Sequence, residues 1–228
     1  MLKAVIFDFD GILADAEHIQ KKKWDIVLRP YKINISEQEY ARFYAGKSST
    51  SVIPGLLKEK YPQITCSAEE LAQAALIEVK KLFPLSKIKL MPKTIQMLEF
   101  ARGQFLKMAV CSGKTLVETA MKLEKTGLSD WFPVEHRVSQ ADADYKGKPD
   151  PGMYLCALRK LGVAAGEALV FEDSEAGVMA AKVAGIQVVT LPSRYSREHN
   201  FAEADLVLWR GWPEVLKKWP SVKGLVES

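Results

Sequence analysis

The sequence predicts an α/β protein: a doubly wound parallel sheet (a Rossmann-like core) with an α-helical cap inserted after the first strand. Three observations predict it. Ala4-Val5-Ile6-Phe7 is a short run with no polar residue, as expected of a strand buried on both faces. From Leu85 onward, strand-like and helix-like segments alternate, which calls for parallel strands with helices on both sides. Between these two regions, from about Ala16 to Phe83, no strand-like segment occurs, so that stretch reads as an insertion. The expected boundaries are 1–14 and 88–228 for the core and 15–87 for the cap.

The cap is expected to hold four helices, Glu17–Leu28, Ser36–Tyr44, Ser49–Tyr61 and Ser67–Phe83, broken at Pro30, Gly46 and Pro62. Ser67 with Glu70 three residues on forms a capping box that opens the last of them. Lys21-Lys22-Lys23 reads as a solvated helix face. In the core, the expected order is a helix from Pro92 to Arg102, a strand Lys107–Cys111 and a helix Lys114–Lys125 stopped by Gly127. A strand Pro133–Val138 and a helix Pro151–Leu161 stopped by Gly162 follow. Next come a strand Ala168–Phe171, a helix Glu175–Ala184 stopped by Gly185, strands Ile186–Leu191 and Asp205–Leu208, and a Trp-containing tail helix.

The bulk numbers bound what this fold can be used for. A chain of 228 residues, 48% apolar and 26% charged, suffices for one full core and a second small domain. The net charge of +4 comes from lysines spread along the chain, too weak and diffuse to point to nucleic acid. Cys66, Cys111 and Cys156 are far apart and odd in number, which reads as reduced thiols in a cytoplasmic protein. The first apolar run stops at Asp8, too early for a signal peptide, and no stretch reaches the length of a membrane span. Nothing in the sequence specifies an oligomeric state.

In a parallel sheet of this kind ligands bind beyond the carboxyl ends of the strands. Strand one ends in Asp8-Phe9-Asp10-Gly11, the next in Ser112-Gly113-Lys114, and a later one in Glu172-Asp173-Ser174. Gly147-Lys148-Pro149 precedes the helix ahead of that last strand. Acids one residue apart repel, which favours a bound cation or a raised pKa, although Asp and Gly also make ordinary turns. The set as a whole suits phosphoryl chemistry. Oxygen ligands favour Mg²⁺, amides at a helix start receive phosphate oxygens, a lysine neutralises charge, and a carboxylate can serve as nucleophile. Ser112-Gly113-Lys114-Thr115 is not a P-loop, since Met108 stands where the first glycine is required.

These motifs, in this order, resemble the haloacid dehalogenase superfamily, in its branch of phosphatases and phosphomutases with a small helical cap. The likeness covers essentially the whole chain and is strongest in the core. It implies Asp8 as the nucleophile and Asp10 as the acid that protonates the leaving oxygen and then activates water. It implies Mg²⁺ held by Asp8, Asp10 through its carbonyl, and Asp173, with Glu172 as a further ligand in the first or second sphere. Ser112, Gly113 and Lys148 would bind the phosphoryl oxygens, and the cap loop Gly46, Lys47, Ser48 would meet the rest of the substrate. The resemblance implies a phosphatase acting on a small phosphorylated metabolite, a sugar or organic-acid phosphate, with no nucleic-acid or membrane partner. A sugar-phosphate mutase of the β-phosphoglucomutase type is the alternative. Gln20 and Ser49 stand where such mutases carry His and Arg, which disfavours it. From another class, a phospho-acceptor signalling or binding protein shares the acids, hydroxyl and lysine but has no place for the helical insertion. His18, His136 and His199 show no metal spacing, and Trp209, Trp212 and Trp219 read as packing against the sheet edge.

Overall fold

A computed structural model describes residues 1–139, 142 and 147–227, with Leu85 described by its backbone alone. Six parallel strands form the sheet: β1 (Ala4–Asp8), β4 (Lys107–Cys111), β5 (Arg137–Val138), β6 (Ala168–Glu172), β7 (Gln187–Thr190) and β8 (Leu206–Val207). Their spatial order is β5-β4-β1-β6-β7-β8, so the chain runs outward from β1 in both directions. That reversal makes the edge beyond β1 the switch point where such sheets bind ligands. The register Asp8↔Cys111 and Phe7↔Phe171 brings the residues after β1, β4 and β6 to one edge.

The uninterrupted apolar runs follow from burial on both faces. Val5, Phe7, Leu169, Phe171 and Val189 point one way, Ala4, Ile6, Ala109, Val170 and Val188 the other, in the alternation of a pleated strand. On the first face Phe7 stacks on Phe171 at 5.6 Å, and Trp212 meets both edge-on. That face is covered by α5 (Thr94–Gly103), α6 (Leu116–Thr126), α9 (Trp212–Lys217) and α10 (Trp219–Glu227). The second is covered by α7 (Gly152–Leu161) and α8 (Glu175–Val183).

Between β1 and the rest of the core lie α1 (Glu17–Leu28), α2 (Glu37–Phe43), α3 (Ile53–Lys60) and α4 (Ala68–Leu85), which bury their own cluster around Trp24, Tyr40, Tyr44, Leu57 and Leu71. The capping box at Ser67 and Glu70 forms as expected. The two chain crossings pair as a small antiparallel ribbon, β2 (Ala14–Asp15) with β3 (Lys89–Leu90). The sequence gives no sign of this, because two-residue strands carry no periodicity.

Several elements differ from expectation. Pro133–Val138 is a short 3-10 turn, Val134–His136, ahead of a two-residue strand, since only Arg137 and Val138 find ladder partners on β4. The third cap helix begins at Ile53, because residues 48–52 form a turn around the Ser48 hydroxyl. The tail is two helices broken at Lys218. Lys23 is buried, so Lys21-Lys22-Lys23 is not a solvated face. It shares the inward side of α1 with Ile19, Trp24 and Val27.

Candidate active site

Asp8 closes β1 and is almost wholly buried at the sheet edge. Its Oδ1 accepts from Lys148 Nζ at 2.6 Å, and the same ammonium donates to Glu172 Oε1. Glu172, the last residue of β6, is fully satisfied. Its Oε1 also accepts from the Tyr154 hydroxyl at 2.7 Å, and its Oε2 from Asp173 N, Ser174 N and Ser174 Oγ at 2.9–3.0 Å. The backbone makes room for it at Gly177, where a Cβ would lie 1.9 Å from Glu172 Oε1. Burial pushes Asp8 up to about 7, with Glu172 and Asp10 adding to the rise against the pull of Lys148. Glu172 stays below the ordinary carboxylate range: burial opposes this, but Lys148 and the hydrogen bonds prevail. The carboxylate that orients Lys148 is therefore ionised, and its oxygens are committed to protein donors.

Asp173 faces Asp8. Ligand oxygens of Asp8, Glu172 and Asp173 lie within 4.8 Å of one another. Burial, then Glu172 and Asp8, raise Asp173 well above its usual value. Gly11 lets the chain pass this carboxyl group, for it sits at φ +81° and a Cβ there would lie 2.1 Å from Asp173 Oδ2. Three buried acids that share the single ammonium of Lys148, and offer only oxygen ligands, fit a hard divalent cation of the Mg²⁺ type.

Asp10 is held differently. Its Oδ2 accepts from Lys122 Nζ, on the buried side of α6, while Oδ1 is buried with no hydrogen-bond partner among the described residues. Burial favours the neutral acid, yet Lys122 and Lys114 keep the Asp10 carboxyl below its ordinary value. Two acids one residue apart are thus pushed in opposite directions. Ser112 Oγ, at the end of β4, is also buried with no partner among the described residues. It does not cap the following helix, as a lone serine there would. Thr115 does, in a capping box with Glu118. Ser174, and not Glu172 or Asp173, caps α8.

The cleft over these residues is lined from the core by Asp8, Asp10, Gly113, Lys114, Lys148 and Asp173. From the cap it is lined by Glu17, Ala45, Gly46 and Lys47. Glu17 accepts from the Tyr40 hydroxyl at 2.7 Å and from Gly46 N at 3.4 Å, which fixes the cap loop over the site. Burial lowers Lys47 from its usual value. Ser48 is not among the lining residues. It packs beside Gly147, whose absent Cβ would lie 2.9 Å from Ser48 Cβ, and so braces the loop that carries Lys148.

Sequence reasoning missed several of these groups. Lys114 has no sequence signal beyond an incomplete P-loop pattern, and Lys122 lies on the same buried helix face as Glu118, four residues earlier, a phase that the sequence does display. Lys23 donates to Gln20 Oε1 and Ser49 Oγ at 2.5 and 2.8 Å, so both cap positions are occupied by an internal cation. His199 proves to belong to the cleft wall with Tyr195 and Ser196. Its Nδ1 accepts from Glu175 N, and its Nε2 bonds the Ala41 carbonyl of the cap at 2.9 Å.

Comparison with known proteins gives the chain its family. The "Phosphorylated carbohydrates phosphatase" of Thermotoga maritima is 30% identical over 216 residues, 95% of this chain and 94% of that protein. The "Validoxylamine A 7'-phosphate phosphatase" of Streptomyces hygroscopicus subsp. limoneus is 29% identical over 97% of this chain and 99% of its own. The crystal structure of CbbY from Rhodobacter sphaeroides in complex with phosphate superposes with a TM-score of 0.80 over 94% of this chain and 96% of that one. At 24% identity it attests the fold. The description of the haloacid dehalogenase-like hydrolases matches residues 5–191, from β1 to the end of the site-bearing strands, and the chain is an enzyme of that family.

Proposed function

We propose that the protein is a Mg²⁺-dependent phosphatase that hydrolyses a small phosphomonoester, a sugar or organic-acid phosphate, through a phosphoaspartate on Asp8. The observation that carries this reading is the Asp8 carboxylate at the floor of a cleft, bonded to Lys148 and facing Asp173. The names of the Thermotoga and Streptomyces relatives support the reaction class and the carbohydrate substrate.

In this reading Asp8 attacks phosphorus, the P–O bond to the substrate breaks, and the leaving oxygen takes a proton from Asp10, which the negative charge of the bound phosphate ester keeps protonated against the pull of Lys122 and Lys114. Asp10, again a carboxylate, then removes a proton from water that attacks the phosphoaspartate, releasing phosphate and Asp8. Lys148, Ser112 Oγ and the Gly113 amide receive the phosphoryl oxygens. Asp8, Asp173 and the Asp10 carbonyl would hold Mg²⁺, which supplies positive charge against the phosphoryl group. Glu172 serves it from behind by fixing Lys148. Gly46 and Lys47 meet the remainder of the substrate, Ser48 supports them, and the cap extends over 15–87.

Hydrolysis is favoured over intramolecular transfer because Gln20 and Ser49 are both bonded to Lys23 and are not presented to the cleft. The cap's cations toward the substrate are then few, with Lys47 opposed by Lys114 from the core. The test offers hexose 1-phosphates with a trace of the bisphosphate as primer. Free phosphate should accumulate. Rapid formation of the 6-phosphate isomer with negligible phosphate release would overturn the phosphatase assignment, and a stable phosphoprotein without turnover would favour a signalling protein.

A further inference from the structure

A second crevice, of about 240 Å³, opens at the same sheet edge, on the far side of Gly11 and Ser193 from the catalytic acids. Its floor is apolar, formed by Ile12, Leu191 and the buried Trp212. Its rim carries Arg194, Arg197 and Arg210 and the side chain of Trp209, which is 57% exposed although tryptophan is costly to leave in water. Among the described residues no carboxylate lines it.

The three arginines are not equivalent. Arg194 is engaged by Asp15 at 3.4 Å and by the Tyr195 hydroxyl at 3.0 Å. Among the described residues the Arg197 guanidinium has no hydrogen bond or ion pair. That of Arg210 feels the field of Glu214, whose own ion pair is with Lys218. Two guanidiniums with uncommitted donors call for a bidentate acceptor such as phosphate. A bare anion would leave the apolar floor and the indole wet, so the complement is an anion that also carries a flat ring. Phe201 meets Trp209 edge-on at 6.3 Å, which braces the indole. Stacking on such a platform is how aromatic side chains hold nucleobases.

We propose that this crevice is a second ligand site that takes a nucleoside phosphate, the phosphate on Arg197 and Arg210 and the base on Trp209. The position gives it a bearing on catalysis. Ile12 and Met91 belong to the two chain crossings into the cap, and the Ile12 carbonyl accepts from Trp212 Nε1 at 2.9 Å. The Met91 amide is bonded to the Leu13 carbonyl at 2.9 Å, so a ligand here touches both crossings at once.

Adenosine 5′-diphosphate, titrated without added metal against the full chain, tests this through equilibrium dialysis and Trp fluorescence. Saturable binding of one equivalent is expected, retained in Ser112→Ala and weakened about tenfold or more in Arg197→Ala/Arg210→Ala. Trp209→Phe should reduce the fluorescence response to what Trp212 on the floor supplies and keep binding, while Trp209→Ala should weaken binding. The proposal is overturned by the absence of saturable binding at millimolar nucleotide, by equal binding in the double arginine variant, or by loss of binding in Ser112→Ala. It is equally overturned if hexaglutamate or anionic phosphatidylserine vesicles bind the arginine face and the nucleotide does not.

Discussion

Lys148 and Glu172 form a buried ion pair, and the same ammonium reaches Asp8 Oδ1 at 2.6 Å. Lys148 comes from the loop before α7, Glu172 from the end of β6 and Asp8 from the end of β1. Glu172 has no oxygen left for anything but protein donors, so it fixes where the Lys148 charge points. Lys148→Met should leave Glu172 buried and unpaired, costing about 3–5 kcal/mol in urea unfolding together with turnover. Adding Glu172→Gln should recover part of the stability and none of the activity. Recovery of activity in the double variant would contradict the role given to Lys148.

Gly177 is as necessary to this arrangement as the charges. Gly177→Ala would place a methyl group 1.9 Å from Glu172 Oε1, within a helix whose backbone is fixed by the Ser174 cap. A loss of roughly 1–3 kcal/mol is expected, with a larger fall in kcat than the fraction unfolded explains. Gly166→Ala, where a Cβ meets nothing within 4 Å, is the control and should be silent.

The two motif acids should separate kinetically. Asp8→Asn should abolish both turnover and phosphoenzyme, since an amide is not a nucleophile. Asp10→Asn should form phosphoenzyme from activated aryl phosphates, whose leaving groups need little protonation, and release it slowly. Acid-quenched ³²P labelling distinguishes the two variants. Normal rates in Asp8→Asn would sink the mechanism.

Divalent metal binding should release protons. Without metal, burial holds Asp8 up to about 7 and Asp173 higher than a free carboxylate, whereas a cation requires both ionised. Calorimetric heats of Mg²⁺ binding should therefore depend on the ionisation enthalpy of the buffer, and affinity should rise with pH through neutrality. Chelation should stop turnover and Mg²⁺ should restore it, with Ca²⁺ a poor substitute. Heats independent of buffer, or full activity after exhaustive chelation, would count against the assignment of these acids.

Lys23 should cost stability at neutral pH. Burial pushes its ammonium down to about 7, with Lys114 and Lys122 adding to the fall and Glu118 and Glu17 opposing it. Below that pH the lysine is charged in both the folded and the unfolded chain, and the penalty is complete. Between about 7 and the unfolded value of 10.5 the unfolded chain binds the extra proton, so folding gains as pH rises. Lys23→Met should then be more stable than the parent at pH 7, by an amount on the order of a few kcal/mol. The difference should shrink toward pH 10. Melting temperatures of the two proteins across that range decide it, and a gap that widens with pH would refute the account.

The sequence by itself determined the parallel core, the helical insertion and the position of every motif in the chain. These depend on local patterns: continuous apolar strands, glycine stops after helices, a capping box at Ser67. Asp8, Ser112 and Glu172-Asp173 were legible because each stands at a strand end that periodicity can locate, whereas Lys148, in the loop ahead of α7, was legible only through the family resemblance. Tertiary structure alone decided which charges meet. Lys122 reaches Asp10 across 112 positions of sequence, and Lys23 reaches Ser49 across 26, so no local pattern could pair them. Burial decided the rest: a lysine in a run of three reads as solvated until the neighbouring chain closes over it. The register of β1 with β4 and β6 then places the acids within a few ångströms, where burial pushes Asp8 and Asp10 the same way and the lysines separate them: Lys122 and Lys114 beside Asp10, Lys148 shared with Glu172 beside Asp8.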